Sequence, residues 1–267
     1  MWRHVSAREG TPARYKARVE YDGTDFAGFQ NQPGARTVQG ELETALARIC
    51  DGSRVRVDAA GRTDAGVHAL GQVIAFTDPR GRPAAELARA LDALLPRDVA
   101  IQDVRRVPAG FHPRHAARYR EYRYTVWNGP RSPLRERFAL GVRAQLDTAA
   151  MERAGSALVG RHDFSAFGAA HRQPVRTVHA VRVRQNGSYV TIDVTADAFL
   201  RQMVRRIVAA LLEVGHGKID GEAVAAALAS GRPAFNGVVA PAKGLCLRHV
   251  VLGRRPASTI ARSNGER

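Results

Sequence analysis

Eight residues, Gly61 to His68 (GRTDAGVH), gather an arginine, a threonine, an aspartate and a histidine around two glycines that allow backbone turns other residues resist. Two readings account for the loop. Arg62, Thr63, Asp64 and His68 form a functional site at a sheet end, or Thr63 and Asp64 hydrogen-bond their own backbone in an ordinary hairpin loop. A second pairing favours the first. Arg201 and Arg205 stand four apart on one flank of the strongest helical stretch, 198–214, beside residues that must be buried. An arginine there requires a carboxylate or phosphate partner, because an unpaired buried charge is costly.

Other chemistries leave no mark. There is no GxxxxGK followed by Ser or Thr, the nearest piece being Gly215 to Ile219 (GHGKI), and no GxGxxG or GxSxG. His112 and His115 (FHPRH) lack HExxH spacing and a cysteine partner; His162 beside Asp163 offers metal donors, or simply loop hydrogen bonds. Cys50 and Cys246 are far apart and in no CxxC, which excludes a disulfide scaffold or zinc cage.

Regular elements must position these residues. Tyr15 to Asp22 alternates like a strand, and Thr37 can cap a helix bearing Val38, Leu42, Ala45, Leu46 and Ile49. Arg54 to Ala59 and Leu70 to Thr77 read as strands on either side of the GRTDAGVH loop. Pro83 opens a helix with Leu87, Leu91, Leu94 and Leu95 inward, and Asp98 to Val104 returns as a strand. That order, β-α-β-β-α-β, is the split βαβ of ferredoxin-like folds. The second half repeats it: a strand at 118–127, a helix at 147–159, a hairpin of 176–185 and 188–195 turning on Asn186-Gly187, the helix at 198–214, a short helix at 220–230 and a strand at 245–252. The expected fold is α+β, two tandem pseudo-repeated ferredoxin-like halves with fused or adjoining sheets and flanking helices. The expected division is a flexible tail at 1–13, a first half at 14–110 with the loop, a basic second half at 111–253 and a flexible tail at 254–267. Gly160 to Pro174 reads as an insertion, of a length that is often functional.

The formal net charge is +16, and 38 of the 41 basic residues are arginine. Residues 1–110 carry 16 basic and 14 acidic side chains, whereas 111–267 carry 25 and 11. A GC-rich genome raises arginine everywhere but gives no reason for this asymmetry, which points to a polyanion, most simply nucleic acid. Segment 111–143 alone holds eight arginines, at 114, 118, 120, 123, 131, 135, 137 and 143, and is the expected phosphate grip. No stretch approaches the roughly 20 apolar residues of a membrane span, and the N-terminal residues have no apolar signal region. The expectation is a soluble, cytoplasmic protein.

Five ordered blocks carry a resemblance: Glu20 to Glu43 (EYDGTDFAGFQNQPGARTVQGELE), Ala60 to His68 (AGRTDAGVH), Asp163 to Phe167 (DFSAF), Ala198 to Arg205 (AFLRQMVR) and Gly244 to Leu247 (GLCL). Over residues 15 to 252 the chain resembles the bacterial tRNA pseudouridine synthases of the TruA type. The resemblance implies two pseudo-repeated halves making one continuous antiparallel sheet. It also implies isomerisation of uridine at positions 38, 39 and 40 of the tRNA anticodon stem-loop, with neither cofactor nor metal, by a homodimer. In its terms Asp64 is the essential carboxylate, nucleophile or base at the sugar, and Arg205 is the arginine that keeps it ionised. Arg62 holds the target base out of the stack, and Tyr122, in REYRY, packs against that base. Phe29, Gln202 and Cys246 depart from the family pattern, and none of them is one of these four. The competing reading is a non-catalytic RNA-binding module, since ferredoxin-like sheets host many; the RNP1 pattern of such modules is missing.

Overall fold

The computed structural model describes residues 11–233 and 238–253. Alternation builds the first strand, β1 (Ala13–Tyr21): Tyr15, Ala17, Val19 and Tyr21 are buried on one face while Arg14, Lys16, Arg18 and Glu20 occupy the other. The Thr37 hydroxyl accepts from the Gly40 amide and caps α1 (Val38–Ile49), whose Val38, Leu42, Ala45 and Leu46 are buried. There follow β2 (Asp58–Ala59), β3 (His68–Asp78), α2 (Ala84–Leu94) and β4 (Val99–Val107). A single-turn helix, α3 (Pro113–Ala116), leads into β5 (Ala117–Trp127), and β6 (Leu140–Gly141), α4 (Thr148–Ser156) and β7 (Gly160–Asp163) come next. The remaining elements are β8 (Val175–Asn186), β9 (Tyr189–Ala196), α5 (Met203–Gly215), α6 (Gly221–Ser230) and β10 (Leu245–Leu252).

The ten strands make one sheet in the order β4-β1-β3-β10-β5-β9-β8-β7, with β2 on β3 and β6 on β5. Pairings are antiparallel except for β6 on β5 and the joint between β3 and β10, where Cys246 meets His68 and Leu247 meets Ala69. The sheet is therefore mostly rather than wholly antiparallel. β3 runs antiparallel to β1, and β10 runs antiparallel to β5. With β1 and β5 pointing the same way, the edges β3 and β10 can meet only in parallel. α2 packs on β4, while α4 packs on β8 and α5, and one core cluster runs through both halves, from Tyr15, Leu46 and Phe76 to Tyr124, Ile192 and Ile207.

Several expectations shift in detail. The strand expected at 54–59 survives only as Asp58–Ala59 on Ala75 and Ile74 of β3, because the Val57 amide donates to the Glu43 carboxylate and its carbonyl accepts from the Gln39 side chain, both on α1, rather than bonding to β3; Val55 and Val57 are buried all the same. Leu94 is 37% exposed rather than inward, leaving Leu87 and Leu91 to anchor α2. The hairpin closes on the Asn186–Tyr189 pair, so its turn residues are Gly187 and Ser188. The stretch 160–174 is no free insertion. It supplies edge strand β7 and a 3-10 turn, Ser165–Phe167, with Phe164 and Phe167 fully buried. Ala13 belongs to β1, and the tails expected at 1–13 and 254–267 otherwise lie, apart from Thr11 and Pro12, outside the described residues. The helix expected from 198 starts at Met203, after a turn in which Gln202 adopts a left-handed conformation, φ 63°. Arg201 is thus exposed and precedes the helix, while Arg205 lies in its first turn. Among the described residues no helix is long and apolar enough to cross a membrane.

Candidate active site

The loop between β2 and β3 emerges where the two halves join. Its root is tied to the sheet: the Ala60 amide donates to the Val73 carbonyl at 2.8 Å, and the side chain of the fully buried Gln72 donates to the Gly61 carbonyl at 3.0 Å. Thr63 shares a buried hydrogen bond with the Tyr21 hydroxyl at 2.8 Å, and burial pushes the Tyr21 pKa up. The following backbone lies on the segment after β1. Phe29 donates its amide to the Thr63 carbonyl, and Gly66 donates to that of Phe26. Gly28 has φ 107°, a conformation L side chains rarely adopt, and a Cβ there would sit 3.0 Å from the Thr63 carbonyl oxygen. Most of the loop's bonding is therefore to distant backbone, although the Val67 amide does return to the Asp64 carbonyl.

Held this way, Asp64 presents its carboxylate, 30% exposed, to Arg205, whose Nη1 lies 3.5 Å from Oδ2. The Arg205 side chain is 15% exposed, and its Nε donates to the Ala240 carbonyl at 2.6 Å while the Ala240 amide donates back to the Arg205 carbonyl. The arginine is thus fixed at its root and at mid-chain before it reaches the carboxylate. It meets the requirement for a charge partner that its apolar neighbours impose.

Tyr122, Arg120 and Tyr124 share the inward face of β5, all three buried. The Tyr122 ring meets Phe199 edge to face, with centroids 5.1 Å apart. Burial raises its hydroxyl pKa, the Arg120 charge lowers it and the Asp64 charge raises it, which places Tyr122 within the field of the Asp64 loop. Arg62 points outward, and its guanidinium makes no hydrogen bond or ion pair with any described residue. Asp64, Arg205 and Tyr122 therefore converge on the joint between halves, and Arg62 stands at its rim.

His68 closes the loop from below. Its Nδ1 accepts from the Gly23 amide at 3.1 Å and lies 3.1 Å from an Asp22 carboxylate oxygen; the tautomer that accepts there donates from Nε2 to the Lys243 carbonyl. Arg137 reaches across from the second half to Asp22 and Asp25, and Lys243 pairs with Glu136. Of the eight arginines in 111–143, four are already engaged. Arg120 is buried, Arg123 grips Asp193 with two bonds, Arg135 stacks over Trp127 and Arg137 holds the two aspartates. Arg114, Arg118, Arg131 and Arg143 are the exposed members that make no such contact with a described residue. His162 and Asp163 serve as loop hydrogen bonds, to the Val159 carbonyl and from the Ser165 amide, and among the described residues no three His, Cys, Asp or Glu cluster to hold a metal.

Comparison with known proteins gives the family. A family described as tRNA pseudouridine synthase matches residues 17–115 and 154–251. The tRNA pseudouridine synthase A of Syntrophotalea carbinolica is 44% identical over 236 residues, spanning 87% of this chain and 93% of the relative. That of Geotalea uraniireducens is 44% identical over 239 residues, 88% of this chain and 98% of the relative. That of Halalkalibacterium halodurans is 43% identical over 236 residues, covering 87% and 90%. With matches on both sides of the joint where Asp64 meets Arg205, the chain belongs to the tRNA pseudouridine synthase family.

Proposed function

We propose that this enzyme isomerises uridine to pseudouridine at positions 38, 39 and 40 of the tRNA anticodon stem-loop, with Asp64 as its essential carboxylate and without a cofactor. One observation carries the reading: a carboxylate on a loop braced by distant backbone, half-open to solvent, with an immobilised guanidinium 3.5 Å away. Attack at the ribose, attack at the base and removal of a ribose proton all start from an ionised carboxylate, and the fixed charge of Arg205 favours that form. Arg62, exposed and uncommitted at the rim, takes the place of a base lifted from the stack, which costs a few kcal/mol to unstack. The Tyr122 ring, backed by Phe199, is the wall against which the extruded uracil packs. The isomerisation exchanges a C1′–N1 bond for a C1′–C5 bond; C5 loses its proton and the freed N1 takes one up, so the product is an isomer of the substrate.

Incubating the protein with an unmodified tRNA transcript carrying tritium on uracil C5 is expected to release tritium, with carbodiimide-dependent stops mapping to 38, 39 and 40. No release, or stops confined to other arms, would overturn the assignment. A binding module without catalysis is disfavoured by Asp64 itself, since a carboxylate in an RNA-facing cleft repels phosphate.

The two halves are pseudo-repeats in this reading, divided at 110 and 111. Support comes from the strand orders β4-β1-β3 and β10-β5-β9 and from a family match in each half. The enzyme works in the cytoplasm as a homodimer, as its resemblance implies. Phosphate is gripped by the second half through Arg114, Arg118, Arg131 and Arg143, joined by further exposed arginines such as Arg201. If about six phosphates are neutralised, tRNA affinity is expected to fall by roughly three orders of magnitude between about 50 and 200 mM salt. A nearly flat dependence in a filter-binding titration would contradict that grip.

A further inference from the structure

We propose that Arg120 is a positioning residue that sets the separation between the Asp64 loop and the Arg205–Tyr122 wall by clamping the carbonyl at the root of each. The inference rests on the isomerase reading above and adds to it a residue with no contact to the Asp64–Arg205 pair.

Arg120 sits in the middle of the sheet, paired with Ala196 of β9 and Val250 of β10, and is only 9% exposed. A cation so placed is expected to have a carboxylate partner, yet among the described residues it forms no ion pair. Desolvation is the main influence on its pKa and pulls it down, outweighing the partial support of Tyr122 and Asp197. Its donors go to backbone carbonyls: Nη2 to Ala60 at 2.6 Å and more weakly to Arg114 at 3.5 Å, and Nη1 to Asp197 at 2.5 Å. The Asp197 carboxylate is turned away, accepting from the Thr177 and Ala198 amides.

The two close carbonyls are what give the residue its use. Ala60 immediately precedes Gly61, Arg62, Thr63 and Asp64. Asp197 immediately precedes the turn that carries Phe199, the ring behind Tyr122, and leads into Arg205 at the start of α5. One planar fork therefore bridges the first half to the second at the two points from which the reacting groups extend. A guanidinium can satisfy two carbonyls in fixed directions at once, which neither an ammonium nor an apolar side chain does. An isosteric apolar residue would avoid the cost of the buried charge, so stability alone gives little reason for an arginine here.

The test uses the full chain with Arg120→Met and Arg120→Lys. In single turnover on unmodified tRNA, Arg120→Met is expected to lower the rate constant about 100-fold while the tRNA Kd stays within about threefold, because a misplacement of about 1 Å costs that much in rate and nothing in phosphate contact. Arg120→Lys, which keeps a charged donor but lacks the planar fork that spans both carbonyls, is expected to regain roughly tenfold. Amide hydrogen exchange at Gly66 and Val67 should quicken by about tenfold or more in Arg120→Met, with the amides of β1 unchanged. A rate within about threefold of the parent in Arg120→Met, or an activity loss carried by Kd, would overturn the proposal. So would exchange that quickens equally across the sheet. Should Arg120→Met fail to fold, Arg120→Lys decides: a slowed rate with unchanged Kd supports the clamp, and an unchanged rate overturns it. Should the parent protein itself form no pseudouridine, the isomerase reading fails, and the exchange at Gly66 and Val67 still tells whether Arg120 holds the loop.

Discussion

Asp64→Asn is expected to abolish pseudouridine formation, with the single-turnover rate constant falling by roughly four orders of magnitude or more, while tRNA still binds. The substitution keeps the shape of the side chain and removes its charge, and with it the anion that each route to the glycosidic bond requires. The fold should tolerate the change. The carboxylate is 30% exposed, its only charge partner among the described residues is at 3.5 Å, and Arg205 remains anchored to the Ala240 carbonyl through Nε. Affinity should hold or rise slightly, since a negative charge facing the RNA backbone disappears. Quench-flow on a tritiated transcript gives the rate, and filter binding on the same preparation gives Kd. A variant that retains activity within about tenfold would show that no carboxylate chemistry occurs at Asp64. One that lost activity and binding together would make Asp64 a structural residue of the loop.

Residue chemistry alone requires only that an arginine beside Val204, Ile207 and Val208 have a carboxylate or phosphate partner; that Arg205 partners Asp64 is what the family resemblance implies. Arg201 looked equivalent on helical spacing. The apolar run through Phe199 and Leu200 carried that spacing backwards past the true helix start, and Gln202, with φ 63°, breaks the helix between the two arginines. Arg120 carries two signals that point opposite ways. Counted with seven neighbours it looks like phosphate-gripping charge, yet it shares its strand face with Tyr122 and Tyr124, and that alternation already turns it inward.

In the fold, elements governed by local rules stand close to where pattern places them. The Thr37 cap, the strand at 245–252 and the inward leucines 87 and 91 are cases of this kind. What pattern could not supply was partnership across the chain. The parallel joint of Cys246 with His68 links residues some 180 positions apart, and nothing local distinguishes an edge that will be paired there from one left to solvent. The strand expected at 54–59 is reduced to two residues by a similar long-range partnership, since the Val57 backbone bonds to the Glu43 and Gln39 side chains of α1. Edge strand β7 (GRHD) lacked alternating apolar residues altogether and so gave no signal.

Gly23→Ala should be the most damaging single methyl in the molecule, costing about 3–5 kcal/mol of stability and most of the activity. A Cβ at Gly23 would stand 2.0 Å from the Val67 carbonyl oxygen and 2.5 Å from its carbon. Both are backbone atoms at the base of the Asp64 loop, so no side chain can swing aside to make room. The segment after β1 must instead back away from the loop. In doing so it loosens the Gly23 amide from His68 Nδ1, the Phe29 amide from the Thr63 carbonyl and the Gly66 amide from the Phe26 carbonyl. Each buried donor left without its acceptor costs about 1–3 kcal/mol, so the loss outweighs any entropic gain from alanine, which is about 0.4–1 kcal/mol. Residual folded protein should be slow as well as scarce, since Asp64 would be displaced relative to an Arg205 that stays with the second half. Urea unfolding reads the first effect, and the single-turnover rate at saturating tRNA reads the second. Gly110→Ala is the matched control: a Cβ there meets no atom within 4 Å, and its stability should change by no more than about 0.5 kcal/mol. If Gly23→Ala loses less than about 1 kcal/mol, the segment after β1 does not approach the loop this closely, and the bracing of Asp64 by the Gly23–Phe29 segment is wrong.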